Sequence, residues 1–224
     1  MIKELLKKDF VDLYNKNQEN PLSENSINIH YRPFNDNEFE LVDNKGGGVA
    51  RYSNPSNWNI STINFEKFIE DLPPRVKNSI SSDICDFIVY SDNNQHFLLN
   101  ELTNTKPQYV LPYKNYNGKQ EGKETKAANQ MLRTLNYLLG VISINKFIQK
   151  FHSKKCCFFN KQPYTPNQTV EDKLINAIFA FNRMNTTFGV YLKRPEIESL
   201  GFEFWSFSGT QTYLLKEFSE ILKS

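Results

Sequence analysis

Residues 84–151 hold two apolar segments, ICDFIVY and HFLLNELT, joined by the polar run SDNNQ and followed by the longest amphipathic stretch in the chain. Two strands linked by so short a turn pair antiparallel. The stretch after them carries Ala128, Met131, Leu132, Leu135, Leu139 and Ile142 on one face, and its pattern continues through Phe147 to about Phe151. That spacing predicts a helix over 125–151, begun by Glu124 or Thr125, with Gly140 as a weak point inside it. A sheet flanked by a helix of this length requires an α/β arrangement in which helices cover a mixed central sheet.

The remaining segments fit that frame. Residues 2–15 read as an amphipathic helix and 17–26 as a polar loop. INIHYRPF, EFELVD and VARY read as a small antiparallel β unit with a turn at Asn44–Gly48. Residues 53–61 read as irregular. A helix is expected from Thr62 or Asn64 to Leu72, where Pro73-Pro74 stops it. A loop or a very short strand is expected around Tyr109-Val110-Leu111, a strand at 156–160 and a helix at 170–181. Strands follow in TFGVYLK and GFEFWSF, and a helix in YLLKEFSEIL. The expected organisation is an N-terminal helix with a small β unit over 1–61, packed on an α/β core domain over 62–224.

Composition narrows the class. Aromatic residues make up 14% of the chain, too many for a disordered segment. Three cysteines, two of them adjacent, make no disulfide framework. No apolar run reaches the length of a membrane span, and the charged N-terminus lacks a signal-peptide core, so a cytoplasmic protein without a membrane partner is expected. Richness in Asn, Lys, Ile, Phe and Tyr with little Ala and Gly suggests an AT-rich bacterial or phage source. The net charge of +2 gives no bulk field for polyanions. Gly46-Gly47-Gly48 lacks the Gly-Lys-Ser/Thr ending of a phosphate-binding loop and reads as a hairpin turn. Neither the histidines nor Cys156-Cys157 have zinc spacing.

One constellation carries chemistry. Asp86 opens the first apolar strand and Glu101 lies near the end of the second, so antiparallel pairing brings them to one end of the sheet. Two carboxylates there supply hard oxygen donors for Mg²⁺, and such an ion activates water and neutralises a phosphate. In this pattern the chain resembles the PD-(D/E)XK nuclease superfamily, the restriction-endonuclease-like fold. That family has an Asp on one strand, Glu-X-Lys on the next, then a helix and another strand. The likeness covers about residues 62–160. It implies a restriction-endonuclease-like core, Asp86 and Glu101 as metal ligands for Mg, and Thr103 at the position of the family's catalytic lysine. Glu66 or Glu70 would add an acid from the preceding helix, and Lys106, Lys123 or Lys126 would have to supply the missing cation.

The resemblance implies a nuclease or nuclease-like protein acting on DNA or RNA, in restriction or phage defence. Lys114, Lys119, Lys123 and Lys126 would meet phosphates from the loop after the second strand. Lys146–Lys161, with its interleaved Phe residues, is another basic stretch on which bases could stack, but it reads more readily as core aromatics with a solvated lysine face. The alternative class is a non-catalytic binding or immunity-type protein with a protein partner, which Thr103 in place of lysine favours. In that reading the aromatic strands near Trp205 form the contact surface.

Overall fold

The computed structural model describes residues 2–15, 19–20, 22–116, 118–163 and 188–217. A seven-stranded mixed sheet forms its centre, in the order β1-β4-β5-β6-β9-β11-β10. These strands are β1 (Tyr31–Phe34), β4 (Ile60–Asn64), β5 (Phe87–Ser91), β6 (His96–Thr103), β9 (Ser153–Asn160), β10 (Val190–Tyr191) and β11 (Glu203–Ser208). From β1 through β6 neighbours run antiparallel; β6, β9 and β11 are parallel, and β10 closes the edge antiparallel to β11.

The parallel step from β6 to β9 needs a crossover, and the amphipathic stretch provides it. Helix α5 (Lys123–Leu139) buries Ala127, Ala128, Met131, Leu135 and Leu138 against the sheet, and α6 (Ile142–Ile148) adds Ile144 and Ile148. On the same face lies an N-terminal helical segment. Its α1 (Ile2–Leu5) and α2 (Val11–Tyr14) are joined without a break by a π-turn at Leu6–Phe10. Helix α3 (Phe65–Asp71) completes this layer. The sheet residues meeting these helices include Ile88, Tyr90, Phe97, Leu99, Cys156 and Phe158.

Alternate residues of the same strands point the other way. Val89, Leu98, Leu102, Phe159 and Phe207 pack against a three-stranded sheet of β2 (Glu38–Val42), β3 (Val49–Ser53) and β12 (Tyr213–Leu214). With both faces covered, β5 and β6 are buried at every position, which explains their unbroken apolar reading. The buried Tyr52 hydroxyl donates to Asn100 Oδ1 at 2.7 Å across this second interface. All three cysteines are buried free thiols.

Several expectations are corrected. The stretch 53–61 is not wholly irregular, because Ile60 opens β4; the helix expected from Thr62 starts at Phe65, capped by the Asn64 side chain on the Lys67 amide at 2.8 Å. β-branched Ile60, Thr62 and Ile63 favour the extended chain until that cap. The helix expected over 125–151 is two helices. Gly140 ends α5, Val141 is extended, and the Tyr14 hydroxyl takes the freed Tyr137 carbonyl at 2.9 Å. Of the loop or short strand expected at 109–111 the loop is what forms, entered through a 3₁₀ turn at Pro107–Tyr109. β7 (Tyr113–Asn115) and β8 (Gly118–Gln120) pair as a small hairpin beyond it. Tyr213–Leu214 is a strand where a helix was expected, pairing with Tyr52 and Ser53. The helix expected at 170–181 lies outside the described residues. No helix among the described residues is long and apolar enough to cross a membrane.

Candidate acidic site

The β5–β6 register decides where the two carboxylates go. The paired register runs from Tyr90 with Phe97 to Phe87 with Asn100, so Asp86 lies just before β5 and Glu101 just past the partner of Phe87. The Asp86 amide donates to the carbonyl of that same Asn100 at 3.0 Å, a bulge-like step that ends the ladder. Glu101 follows Leu99 on the helix-covered face, and Asp86 lies near enough at the same sheet end for its charge to act on Glu101.

Three neighbouring elements converge on this pair. Asp86's carbonyl accepts from the amides of Phe65 and Glu66 at 2.8 and 3.3 Å, which pins the start of α3 to the start of β5 and sets Glu66 beside the acids. From the first turn of α5, Lys123 reaches Glu101, with Nζ 3.5 Å from Oε1. The β2–β3 turn passes over the end of β6. Asp43 folds it by accepting the amides of Lys45 and Gly46 at 2.8 and 2.6 Å. At Gly48 a Cβ would overlap the Leu102 and Thr103 backbone, so only glycine permits this approach. The turn delivers Lys45 to Glu66 at 3.6 Å and into an ion pair with Glu70.

The electrostatics are those of charges held where they are costly. Glu101 is 3% exposed. Its Oε1 meets Lys123, while Oε2 is buried without a partner among the described residues. Burial, and then the Asp86 charge, hold Glu101 well above the ordinary carboxylate range, with Lys123 pulling it back only in part. Asp86 is also raised, first by burial and then by Asp43 and Glu66. The Leu102 amide, donating to its Oδ2 at 2.7 Å, and the more distant Lys123 oppose that rise. Two neighbouring acids in one dry site cannot both ionise easily without a cation.

The structure thus brings together Asp86, Glu101, Lys123 and Glu66. Glu70 lies one helical turn on, engaged by Lys45 and Lys67. Thr103 is buried at the end of β6, its hydroxyl 2.7 Å from that of Thr105. Lys114 and Lys119 lie on the β7–β8 hairpin and Lys126 is exposed on α5. Lys123 could be found in sequence only as one lysine among several; its helix start and reach to Glu101 are tertiary facts. Glu124, beside it, is buried with Arg194 at 3.5 Å and Ser206 Oγ at 3.1 Å, which anchors the start of α5. Phe147, Phe151, Phe158 and Phe159 are core or core-packed residues, so the basic stretch 146–161 offers no free aromatic face.

Among the described residues no three of Asp, Glu, His and Cys converge closely enough to enclose a metal ion on their own. Comparison with protein-family models, curated proteins and solved structures found no match.

Proposed function

We propose that this chain is a divalent-metal-dependent phosphodiesterase acting on nucleic acid, with Asp86 and Glu101 as its metal-binding carboxylates and Lys123 as its catalytic cation. The observation that carries the proposal is the buried Asp86–Glu101 pair, which leaves Glu101 Oε2 without a partner among the described residues. A hard cation with oxygen preference and retained waters fits that donor set, because two protein carboxylates with water suffice for Mg²⁺. Such an ion would lower the pKa of a bound water and offset charge on a scissile phosphate.

The residues of the chain supply the rest. Asp86 and Glu101 hold negative charge at one point of the sheet end. Lys123 presents an ammonium beside them, suited to stabilising charge that develops on a phosphate oxygen. Glu66 borders the pair from α3 and opens onto a small cavity of about 170 Å³ lined also by Lys77, Ser82 and Ile84. The order β4, β5, β6, α5, β9, with one acid just before β5 and one on β6, supports likeness to the restriction-endonuclease-like core. In this chain the cation comes from α5 and not from the Thr103 position.

The test is cleavage of single- and double-stranded DNA and RNA with Mg²⁺, Mn²⁺ or EDTA. Cleavage that requires metal and falls by at least about 100-fold in both Asp86→Asn and Glu101→Gln supports the proposal. Absence of cleavage on every substrate refutes it and favours the non-catalytic binding class.

A further inference from the structure

The segment between β6 and α5 leaves the sheet and returns to the acidic site. Its outgoing limb meets its return at the start of α5: the Glu124 amide donates to the Val110 carbonyl at 3.0 Å, and a Cβ on Gly122 would overlap the Leu111 backbone. What lies between is the β7–β8 hairpin, whose base stands beside Lys123 and Glu101. A two-stranded ribbon of three-residue strands has little stability of its own, so its side chains are not there to fill a core.

Those side chains are aromatic and cationic. Tyr116 stands at the tip, 95% exposed. Tyr109 is 41% exposed and meets the Tyr113 ring edge-on with centroids 4.8 Å apart. Lys114 and Lys119 are directly opposite each other in the ribbon, and neither meets a carboxylate at ion-pair distance among the described residues. Like charges in that position destabilise a ribbon unless an anion lies across them. Residues 104–126 carry five lysines against two glutamates, a net +3 that exceeds the +2 of the whole chain. The basic charge of this protein is therefore concentrated on one excursion that begins and ends at the acidic site.

We infer that this hairpin is a single-strand nucleic-acid clamp, in which unpaired bases stack on Tyr109, Tyr113 and Tyr116 while Lys114 and Lys119 share a backbone phosphate. Duplex bases have no free faces for such rings, whereas every unpaired base does. The inference rests on the nucleic-acid reading of the neighbouring site and assigns it a substrate class.

The experiment is fluorescence anisotropy with the full chain in EDTA, so that binding is read without cleavage. The probes are fluorescein-labelled oligothymidylate and oligouridylate of about a dozen nucleotides, the length one small binding surface spans, and a duplex of the same length. Single strands should bind more tightly than duplex. Tyr109→Ala and Tyr116→Ala should each weaken them about tenfold. The double change Lys114→Ala/Lys119→Ala should flatten the dependence of affinity on salt by about one ion. Tyr116 touches no core, so its variant must melt with the parent. Equal binding of duplex and single strand, no effect of the Tyr changes, or no binding overturns the clamp. Cleavage without this pattern sinks the clamp alone. The pattern without cleavage sinks the phosphodiesterase and leaves the clamp standing. The two oligonucleotides separate DNA from RNA as the source of the strand.

Discussion

Replacing Glu101 with Gln should make the metal-free protein more stable at alkaline pH and leave it nearly unchanged at acid pH. Glu101 is buried, lies within reach of the Asp86 charge, and has one oxygen without a partner among the described residues. Its pKa in the folded protein therefore stands above that of the unfolded chain. A carboxyl raised in this way keeps its proton in the folded state after the unfolded state has lost it. Stability is then greatest below the ordinary carboxylate pKa and declines as pH climbs toward the folded value. Each pH unit over which the folded carboxyl keeps a proton that the unfolded chain has lost is worth about 1.4 kcal/mol, and with Glu101 pushed up to about 9 that window includes pH 8. Glutamine keeps the shape and the contact with Lys123 and has no proton to lose on unfolding. Recovery of only a fraction of that penalty leaves a gain of about 1–2 kcal/mol. In a chain of this size that raises Tm by about 2–8 °C at pH 8 in EDTA, and by little at pH 5. The assay is thermal and urea unfolding of both proteins at the two pH values. A Gln variant that is less stable than the parent at pH 8, or a difference that does not change with pH, would refute the reasoning.

Three other perturbations follow from single contacts. Lys123→Met should lower metal-dependent cleavage by about 100-fold while Mn²⁺ binding persists, because the ammonium stabilises reacting charge and is not a ligand; steady-state rates and calorimetry together check this. It should also move the onset of metal binding to higher pH, since Lys123 holds down the pKa of both acids. Gly48→Ala should cost about 1–3 kcal/mol in urea unfolding, because its Cβ meets the backbone of Leu102 and Thr103, which cannot swing aside. Thr134→Val should cost about 1–3 kcal/mol, because the Thr134 hydroxyl accepts the buried Cys85 amide at 2.9 Å and valine leaves that donor unsatisfied.

Much of this architecture was legible in the residues that carry it. The apolar runs at 87–91 and 96–103 and the polar turn between them fix a hairpin. The α5 face from Ala128 to Leu135 fixes what lies over it. The hairpin pairing brings Asp86 and Glu101 to one end of the sheet, while their closeness to each other depends on the off-register step at Asp86, which has no sign in the sequence. Other parts depend on tertiary contacts without a local sign. Ile60–Asn64 looked irregular because its flanks are rich in Asn, Ser and Pro, yet it pairs on both sides inside the sheet. Gly140 ends a helix whose hydrophobic period runs on past it, and the Tyr14 hydroxyl that receives the broken end comes from the other end of the chain. Tyr213 suggested helix by its spacing but is drawn into an edge pairing with β3, where its hydroxyl also meets buried His96 at 3.0 Å. Lys123, which meets Glu101 at 3.5 Å, lies a full loop beyond it in the chain, and no spacing rule connects the two.

The most direct measurement of the central claim is calorimetric titration of Mn²⁺ into the full chain at pH 7.5 in two buffers of different ionisation enthalpy. Carboxylates held above their ordinary pKa must lose protons to take a cation. The account predicts one Mn²⁺ per chain with proton release, affinity that rises with pH, and loss of binding in both Asp86→Asn and Glu101→Gln. Binding that is unchanged in those variants, or a wild-type chain that takes up no Mn²⁺ at millimolar concentration, would contradict it.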